Sequence, residues 1–364
     1  MVAVGVPREV KIFEGRVAVV PQLVRQLREQ GHRVLVESGA GSNSHHFDDE
    51  YRQAGAEIVS AANAWGADLV MKVKEPQASE YGFLRADQTL FTYLHLAADR
   101  PCTEALLAAG TTSLAYEEVV DEHGGLPLLA PMSRIAGRLA TQVGAETLLA
   151  PHGGRGVLLG AVPGSGASHV VVFGAGMSGS EAAEVAVGLG ADVTVFDTSQ
   201  AALDRLSTRL AGRGRMLLST PDAVAEALIS AELVIGAVLV QGARAPIVVT
   251  SEMVTTMPTG SVLVDIAVDQ GGCFADTRPT TLDDPVYRVG SSLFYCVSNM
   301  PAAVPRTSTE AITHATGPYV LQVAAALSEP EPDLHRLPGL TTSGGRLYSP
   351  GVAEAHGLQL AGTA

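Results

Sequence analysis

The sequence predicts an α/β protein of two domains built on parallel sheets, and three observations carry that prediction. The chain has 364 residues, about twice the size of a typical domain. Short β-branched runs alternate with amphipathic stretches, the pattern of strands joined by helical crossovers. Hydrophobic residues make up 46% of the chain and charged residues only 17%, a composition suited to packed cores and not to disorder. The 39 glycines and 20 prolines follow no fixed period, so they mark turns.

The elements follow in order. Residues 2–6 read as the first strand. A helix starts near Pro21, with Leu23, Val24 and Leu27 on one face and Gly31 beyond its end, proline early and glycine late. Residues 33–36 read as a strand, 49–53 as a short helix, and 69–73 and 89–94 as two further strands. A long helix is expected over 133–150, before the glycine-rich PHGGRG. Residues 169–173, 193–196, 233–235 and 262–264 read as four buried strands separated by helical segments. The pattern is helical again over 304–327, with Gly317-Pro318 expected to bend or break it. The tail beyond Ser328 opens with EPEPD and is rich in Pro, Gly and Thr; it reads as extended and partly ordered.

Charge narrows the functional classes. Twenty-four basic against 38 acidic residues give a net charge of −14, which repels a polyanion and argues against nucleic acid as a partner. Mean hydropathy is +0.22, yet no apolar run approaches the ~20 residues that span a bilayer. The opening MVAVGVPREVKIFEGR is interrupted by Pro7 and charges and does not read as a signal peptide. Cys102, Cys273 and Cys296 show no C-x-x-C spacing, which suits a reducing cytoplasm. The acids after His45-His46 read as the first turn of a helix, and no metal site is expected there.

The sharpest motif is HVVVFGAGMSGSEAAEVAVGLGADVTVFDTS. Gly174, Gly176 and Gly179 form G-x-G-x-x-G directly after a buried strand and open a helix, so backbone N–H groups can approach a pyrophosphate. The next strand ends at Asp197, 23 residues after Gly174, where an acid holds ribose hydroxyls. Strand, turn, helix, strand and acid in sequence read as a dinucleotide site, and an anionic Asp197 favours NAD(H) over NADP(H).

Four further polar residues stand in apolar surroundings. Arg16, in EGRVAVVP, suits a bidentate carboxylate clamp, with an ordinary surface arginine as the alternative. Lys74, in LVMKVKEP, follows a buried strand; Lys72 lies two residues earlier on the same side, which leaves a solvated strand face open. His95, in LFTYLHLAA, ends another strand, where a satisfied core histidine is the alternative. Asp269, in LVDIAVDQGG, lies just past a strand, and Asp265 competes for its role. Lys74 and His95 share the carboxyl edge along which open α/β sheets bind ligands.

Together these segments resemble the bacterial alanine dehydrogenases. The resemblance rests on GxPxExK with EGRVAVVP, then VKEP, FTYLHLA, APMSRIAGR, GGRGVLLGAVPG, FGAGMSG, VDIAVDQGGCF, FYCVSNMPAAVPRTST and GPYVL, in the family's order and spacing. It runs from residue 1 to about 327 and weakly through AEAHGL. It implies two Rossmann-like domains with parallel sheets flanking a cleft and linked by helices. Residues 1–128 plus 306–364 would form the substrate domain, and 129–305 the NAD-binding domain, in a cytoplasmic homo-oligomer, often a hexamer.

On that resemblance the reaction is NAD-dependent oxidative deamination of L-alanine to pyruvate and ammonia, reversible as reductive amination. Arg16 and Lys74 would bind the substrate carboxylate and carbonyl, His95 would serve as acid/base, and Asp269 would assist at nitrogen. Tyr93, Met132 and Asn299 would line the pocket, while Ser133, Ser219, Val238 and Leu239 would join Gly174, Gly176, Gly179 and Asp197 around the cofactor. Two positions depart from the family's pattern: Arg134 stands where an acid is common, and Ala202 where a basic residue often lies. The rival readings are a dehydrogenase or reductase of a larger amino or imino acid, the nucleotide-binding segment of a transhydrogenase, and a non-catalytic NAD(H) sensor.

Overall fold

A computed structural model describes residues 1–238 and 245–362, and the chain falls into two units, Met1–Met132 with Val304–Ala364, and Ser133–Ala303. In the first unit, β1 (Ala3–Val6), β2 (Arg33–Glu37), β3 (Glu57–Val59), β4 (Leu69–Met71), β5 (Thr89–Thr92) and β6 (Thr112–Ala115) pair in parallel in the order β6-β5-β4-β1-β2-β3. Helices α1 (Pro21–Glu29), α2 (Asp48–Gln53), α3 (Ala61–Trp65) and α4 (Arg100–Ala109) make crossovers between them. Helix α1 buries Pro21, Leu23, Val24 and Leu27, the face legible in its spacing. Strands β4 to β6 are buried at every residue, as strands covered on both faces require. Trp65, Val70, Leu90, Leu94 and Leu106 belong to the core beneath them.

The long helix α5 (Ala130–Thr147) precedes the second sheet and starts three residues earlier than the sequence suggests. In the second unit, β7 (His169–Phe173), α6 (Met177–Gly188), β8 (Asp192–Asp197), α7 (Gln200–Arg209), β9 (Arg215–Leu218), α8 (Pro221–Leu228), β10 (Ala231–Gly236), α9 (Ser251–Thr256) and β11 (Val262–Asp265) alternate along the chain. A hairpin of β12 (Val286–Val289) and β13 (Ser292–Tyr295) completes a sheet ordered β12-β13-β11-β10-β7-β8-β9. All its pairs are parallel except β12 with β13. Phe173 and Phe196 stack at 5.6 Å in its core beside Val234, Leu263 and Phe294.

The chain then returns to the first unit through α10 (Pro305–Ala326), and here two expectations are corrected. Pro318 lies inside a helix that runs through it without a break. Pro318 and His314, the residue whose carbonyl loses its N–H partner, are both exposed, so water can satisfy that carbonyl. Ile312, Thr313, Thr316, Val320 and Val323 hold the opposite face in the core. The tail is likewise more ordered than its composition suggests. β14 (Leu340–Ser343) pairs antiparallel with β6, β15 (Arg346–Leu347) pairs antiparallel with β14, and α11 (Pro350–His356) follows. Both sheets are therefore mixed, parallel at their centres and antiparallel at one edge. Ser113 and Thr342 join hydroxyls across the new pair at 2.7 Å. Gly344-Gly345, both at positive φ, make the tight turn between β14 and β15.

Candidate active site

In the first unit the candidate residues follow the carboxyl ends of adjacent strands: Arg16 after β1, Lys74 after β4, and Tyr93 and His95 after β5. Arg16 is 1% exposed, which removes the surface-arginine alternative. Its Nε and Nη2 donate to the Glu14 carboxylate at 2.6 and 2.5 Å, its backbone N–H adds a third bond at 3.1 Å, and Nη1 lies 3.1 Å from Met132 Sδ. Burial pushes the Glu14 carboxyl up, but the hydrogen bonds and charge of Arg16 outweigh it and hold the group below the usual carboxylate range.

Lys74 is buried, and that burial, followed by the charge of Arg16, pushes its ammonium below the ordinary lysine value. Lys72 is not part of a solvated face. It is fully buried, with Nζ 3.0 Å from both Glu9 Oε2 and Glu80 Oε1 and 5.7 Å from the Trp65 ring centre.

His95 is exposed, with φ of 49°, in the left-handed region that is uncommon for a residue with a side chain. The Glu117 carboxylate, just past β6, accepts the N–H groups of His95 at 2.5 Å and Leu94 at 3.0 Å, and so holds that conformation. The same carboxylate lies 3.9 Å from His95 Nδ1. Tyr93 is buried beneath, its ring stacked on the imidazole at 6.0 Å and its hydroxyl donating to the Leu128 carbonyl. Glu117 was missed in the sequence; its only signal is an acid two residues past a buried strand.

In the second unit a groove of about 390 Å³ opens at the carboxyl ends of β7 to β10, lined by residues that include Ser133, Gly174, Gly176, Asp197, Ser219 and Val238. Gly174 has φ of +99°, and a Cβ on Gly179 would stand 1.7 Å from the Gly174 carbonyl oxygen, so the turn and the helix that follows require both glycines. Asp197 accepts the N–H groups of Ala175 at 2.6 Å and Ser199 at 2.7 Å. Leu239 lies outside the described residues.

Asp265 and Asp269 have separate places. Asp265 is fully buried at the end of β11; Oδ1 accepts Ala267 N–H at 3.0 Å, and Oδ2 accepts Cys273 N–H at 2.9 Å and the Thr277 hydroxyl at 2.6 Å. Burial raises its pKa against the pull of those bonds. Both ends of the loop thus close on one carboxylate, while Asp269 stands exposed on a 3-10 turn within it. Asn299, at φ of 60°, opens the turn before α10, its carbonyl accepting Ala302 N–H at 2.9 Å. Arg16, Lys74, Tyr93, His95 and Met132 therefore belong to one unit, and the glycines, Ser133, Asp197, Ser219, Val238, Asp269 and Asn299 to the other.

The two unusual positions also have physical accounts. Arg134 lies 3.3 Å from Glu181 on α6, in a network with Arg138, Arg209 and Glu184. Ala202 is buried in the first turn of α7, its N–H capped by Ser199 Oγ at 3.3 Å.

Comparison with known proteins fixes the family. The model for the N-terminal domain of alanine dehydrogenase/PNT matches residues 5–136, and that for the C-terminal domain matches residues 140–340. The chain is 53% identical to an alanine dehydrogenase of Mycolicibacterium smegmatis, over 96% of both chains. It is 52% identical to an alanine dehydrogenase of Mycobacterium tuberculosis, covering 98% of this chain and 97% of that one. A solved L-alanine dehydrogenase superposes with a TM-score of 0.93 at 47% identity, over 98% of this chain and 99% of the other. A transhydrogenase from Sinorhizobium meliloti gives 0.83 at 27% identity, over 96% and 99%. The chain belongs to the alanine dehydrogenase/PNT family. Among the described residues no helix is long and apolar enough to cross a membrane.

Asp265→Asn keeps one acceptor oxygen but strands a buried N–H or hydroxyl, and should destabilise the protein by about 1–3 kcal/mol, read from the urea midpoint. An unchanged midpoint would show that the carboxylate does not hold the loop.

Proposed function

We propose that the protein is an NAD-dependent alanine dehydrogenase, oxidising L-alanine to pyruvate and ammonia and running the amination in reverse. One observation carries the reading. In a chain 53% identical to an alanine dehydrogenase over 96% of its length, Arg16, Lys74 and His95 lie in the segments that leave the carboxyl ends of three neighbouring strands, β1, β4 and β5. Residues 1–128 with 306–364 serve as the substrate domain and 129–305 as the NAD-binding domain. A homohexamer in the cytoplasm is the assembly and compartment this reading favours.

The second unit's residues fit NAD. A Cβ on Gly176 would meet nothing within 4 Å, so that backbone is open to a pyrophosphate at the start of α6. Asp197 spends one lone pair of each oxygen on a backbone N–H, and a carboxylate has about four acceptor sites, so it retains capacity for ribose hydroxyls. Ser133, Ser219, Val238 and Leu239 complete the cofactor set. When bound, NAD supplies an acceptor for hydride from the substrate Cα.

The chain's own residues do the rest. Arg16 and Lys74 neutralise and orient the substrate carboxylate and, in pyruvate, the carbonyl oxygen; most of their contribution is positional. Tyr93, Met132 and Asn299 shape the space around the substrate. His95 takes a proton from the ammonium or from the water that attacks the imine, and returns it in amination. Asp269 offsets positive charge developing at nitrogen. A non-catalytic sensor has no need of a carboxylate clamp or an acid/base, which places that alternative behind the enzyme.

Purified protein with NAD⁺ should reduce the cofactor fastest with L-alanine in a panel of small L-amino acids. His95→Ala and Asp269→Ala should each lower kcat/KM by about 100-fold or more while leaving NADH affinity within about twofold. Activity confined to a larger amino acid would overturn the substrate, and NADH binding without any turnover would overturn the enzyme.

The environment of Lys74 predicts a pH dependence. Burial, Arg16 and Lys11 lower its pKa, while Glu75 and Glu14 oppose the shift. Binding an anion needs the protonated amine, so affinity is present below the lowered value and is lost as pH rises through it. Pyruvate binding to the enzyme–NADH complex without ammonia should weaken at a pH below the ordinary lysine range. Affinity that stays flat into that range would contradict this role.

A further inference from the structure

Glu9, in the GxPxExK segment that follows β1, has no part in the reaction just described, yet it is buried against the strand end that carries Lys74. Its Oε1 accepts the N–H of Val73 at 2.6 Å and that of Lys74 at 3.4 Å, and its Oε2 meets Lys72 Nζ at 3.0 Å. Glu80 holds Lys72 from another side at 3.0 Å, and its second oxygen accepts Gln77 N–H at 2.8 Å. Two residues past Glu9, Lys11 Nζ reaches Glu75 Oε1 at 2.5 Å. On the opposite side, Thr92 Oγ1 donates to the Lys74 carbonyl at 3.0 Å, and Tyr93 N–H donates to the Val73 carbonyl at 3.3 Å.

The segment carrying Lys74 is therefore fixed at its amides by one neighbouring strand end and at its carbonyls by the other. The trio of Glu9, Lys72 and Glu80 sets two carboxylates against one ammonium, all three buried. Such a group is costly to bury, and well-packed apolar side chains of similar volume commonly stabilise a fold as well or better. Packing therefore does not account for it. Its geometric consequence is that the backbone around Lys74 is tied from both sides, so the ammonium at the end of a flexible stem starts from a restrained base.

We propose that Glu9 is a positioning residue for Lys74: one carboxylate oxygen fixes the backbone that carries the lysine, and the other anchors that backbone through Lys72 and Glu80. Its importance for turnover rests on the alanine dehydrogenase reading, whereas the backbone restraint is measurable without turnover.

The test compares the full-length wild type with Glu9→Ala, Glu9→Gln and Leu106→Ala, the last a fully buried core truncation in the same unit that serves as a stability control. Hydrogen exchange at the Val73 and Lys74 amides should accelerate about tenfold or more in Glu9→Ala and by less in Glu9→Gln, whose amide oxygen can still accept both N–H groups but whose NH2 cannot accept from Lys72. KM for L-alanine and for pyruvate should rise about tenfold or more in Glu9→Ala, with NADH affinity within about twofold, and Glu9→Gln should lie between Glu9→Ala and wild type. Leu106→Ala should lower Tm without moving either KM. Unchanged exchange in Glu9→Ala would overturn the clamp. A matching rise of KM in Leu106→Ala would reduce Glu9 to a stability residue. Wild-type protein without activity on L-alanine would overturn the functional reading, and with it the catalytic purpose of the clamp, whatever the exchange shows.

Discussion

One residue past the end of a parallel strand the N–H still meets a carbonyl of the neighbouring strand; beyond it the ladder stops, and in this protein carboxylates take up several of the N–H groups that follow. Glu9 serves Val73 and Lys74 past β4, Glu117 serves Leu94 and His95 past β5, Asp197 serves Ala175 past β7, and Asp265 serves Ala267 and Cys273 past β11. The bonds of 2.5–3.0 Å among them are of the charge-assisted kind, stronger than an amide–carbonyl pair, while the 3.4 Å contact to Lys74 N–H is weaker. For the buried donors, those of Val73, Ala267 and Cys273, the alternative is an N–H without a partner, which costs about 1–3 kcal/mol. The loops fixed in this way are those that carry Lys74, His95, the dinucleotide turn and Asp269. The side chains proposed to meet substrate and cofactor thus stand in loops held at the carboxyl ends of the strands by acids, of which Asp197 alone has a proposed binding role as well.

That arrangement explains the division of labour among charged residues of similar type. Asp265 and Asp269 lie four residues apart, yet one is saturated by backbone and hydroxyl donors and the other is exposed. Lys72 and Lys74 lie two apart; the first is neutralised by two carboxylates, while the second, beside Arg16, has its ammonium pushed down. Burial and partners, not residue identity, distinguish the members of each pair.

Much of this was legible in the sequence, and what was hidden has a common cause. Strand cores such as VVVF and the proline-led α1 announce themselves through local periodicity, and the glycine motif with its distant acid fixes a strand–turn–helix without help from elsewhere. The roles of Glu9, Glu117 and Lys72 were not legible, because each is defined by a partner on another strand: Glu9 pairs 63 residues away with Lys72, and Glu117 accepts from His95, 22 residues back. The pairing of the tail was hidden for a related reason. Gly-Gly and Thr-rich composition describes a loose segment unless a neighbouring strand such as β6 is there to receive it. Pro318 shows the converse, a local breaker overridden by a buried helix face.

In the proposed reaction these residues direct hydride from the α-carbon of L-alanine to the nicotinamide. The most direct measurement follows deuterium from [2-²H]-L-alanine during turnover with NAD⁺, reading the reduced cofactor by mass spectrometry and NMR. Direct transfer places one deuteron at the nicotinamide C4 for each pyruvate formed. Reduced cofactor carrying only solvent hydrogen, or labelled alanine recovered intact beside enzyme that binds NADH, would contradict it.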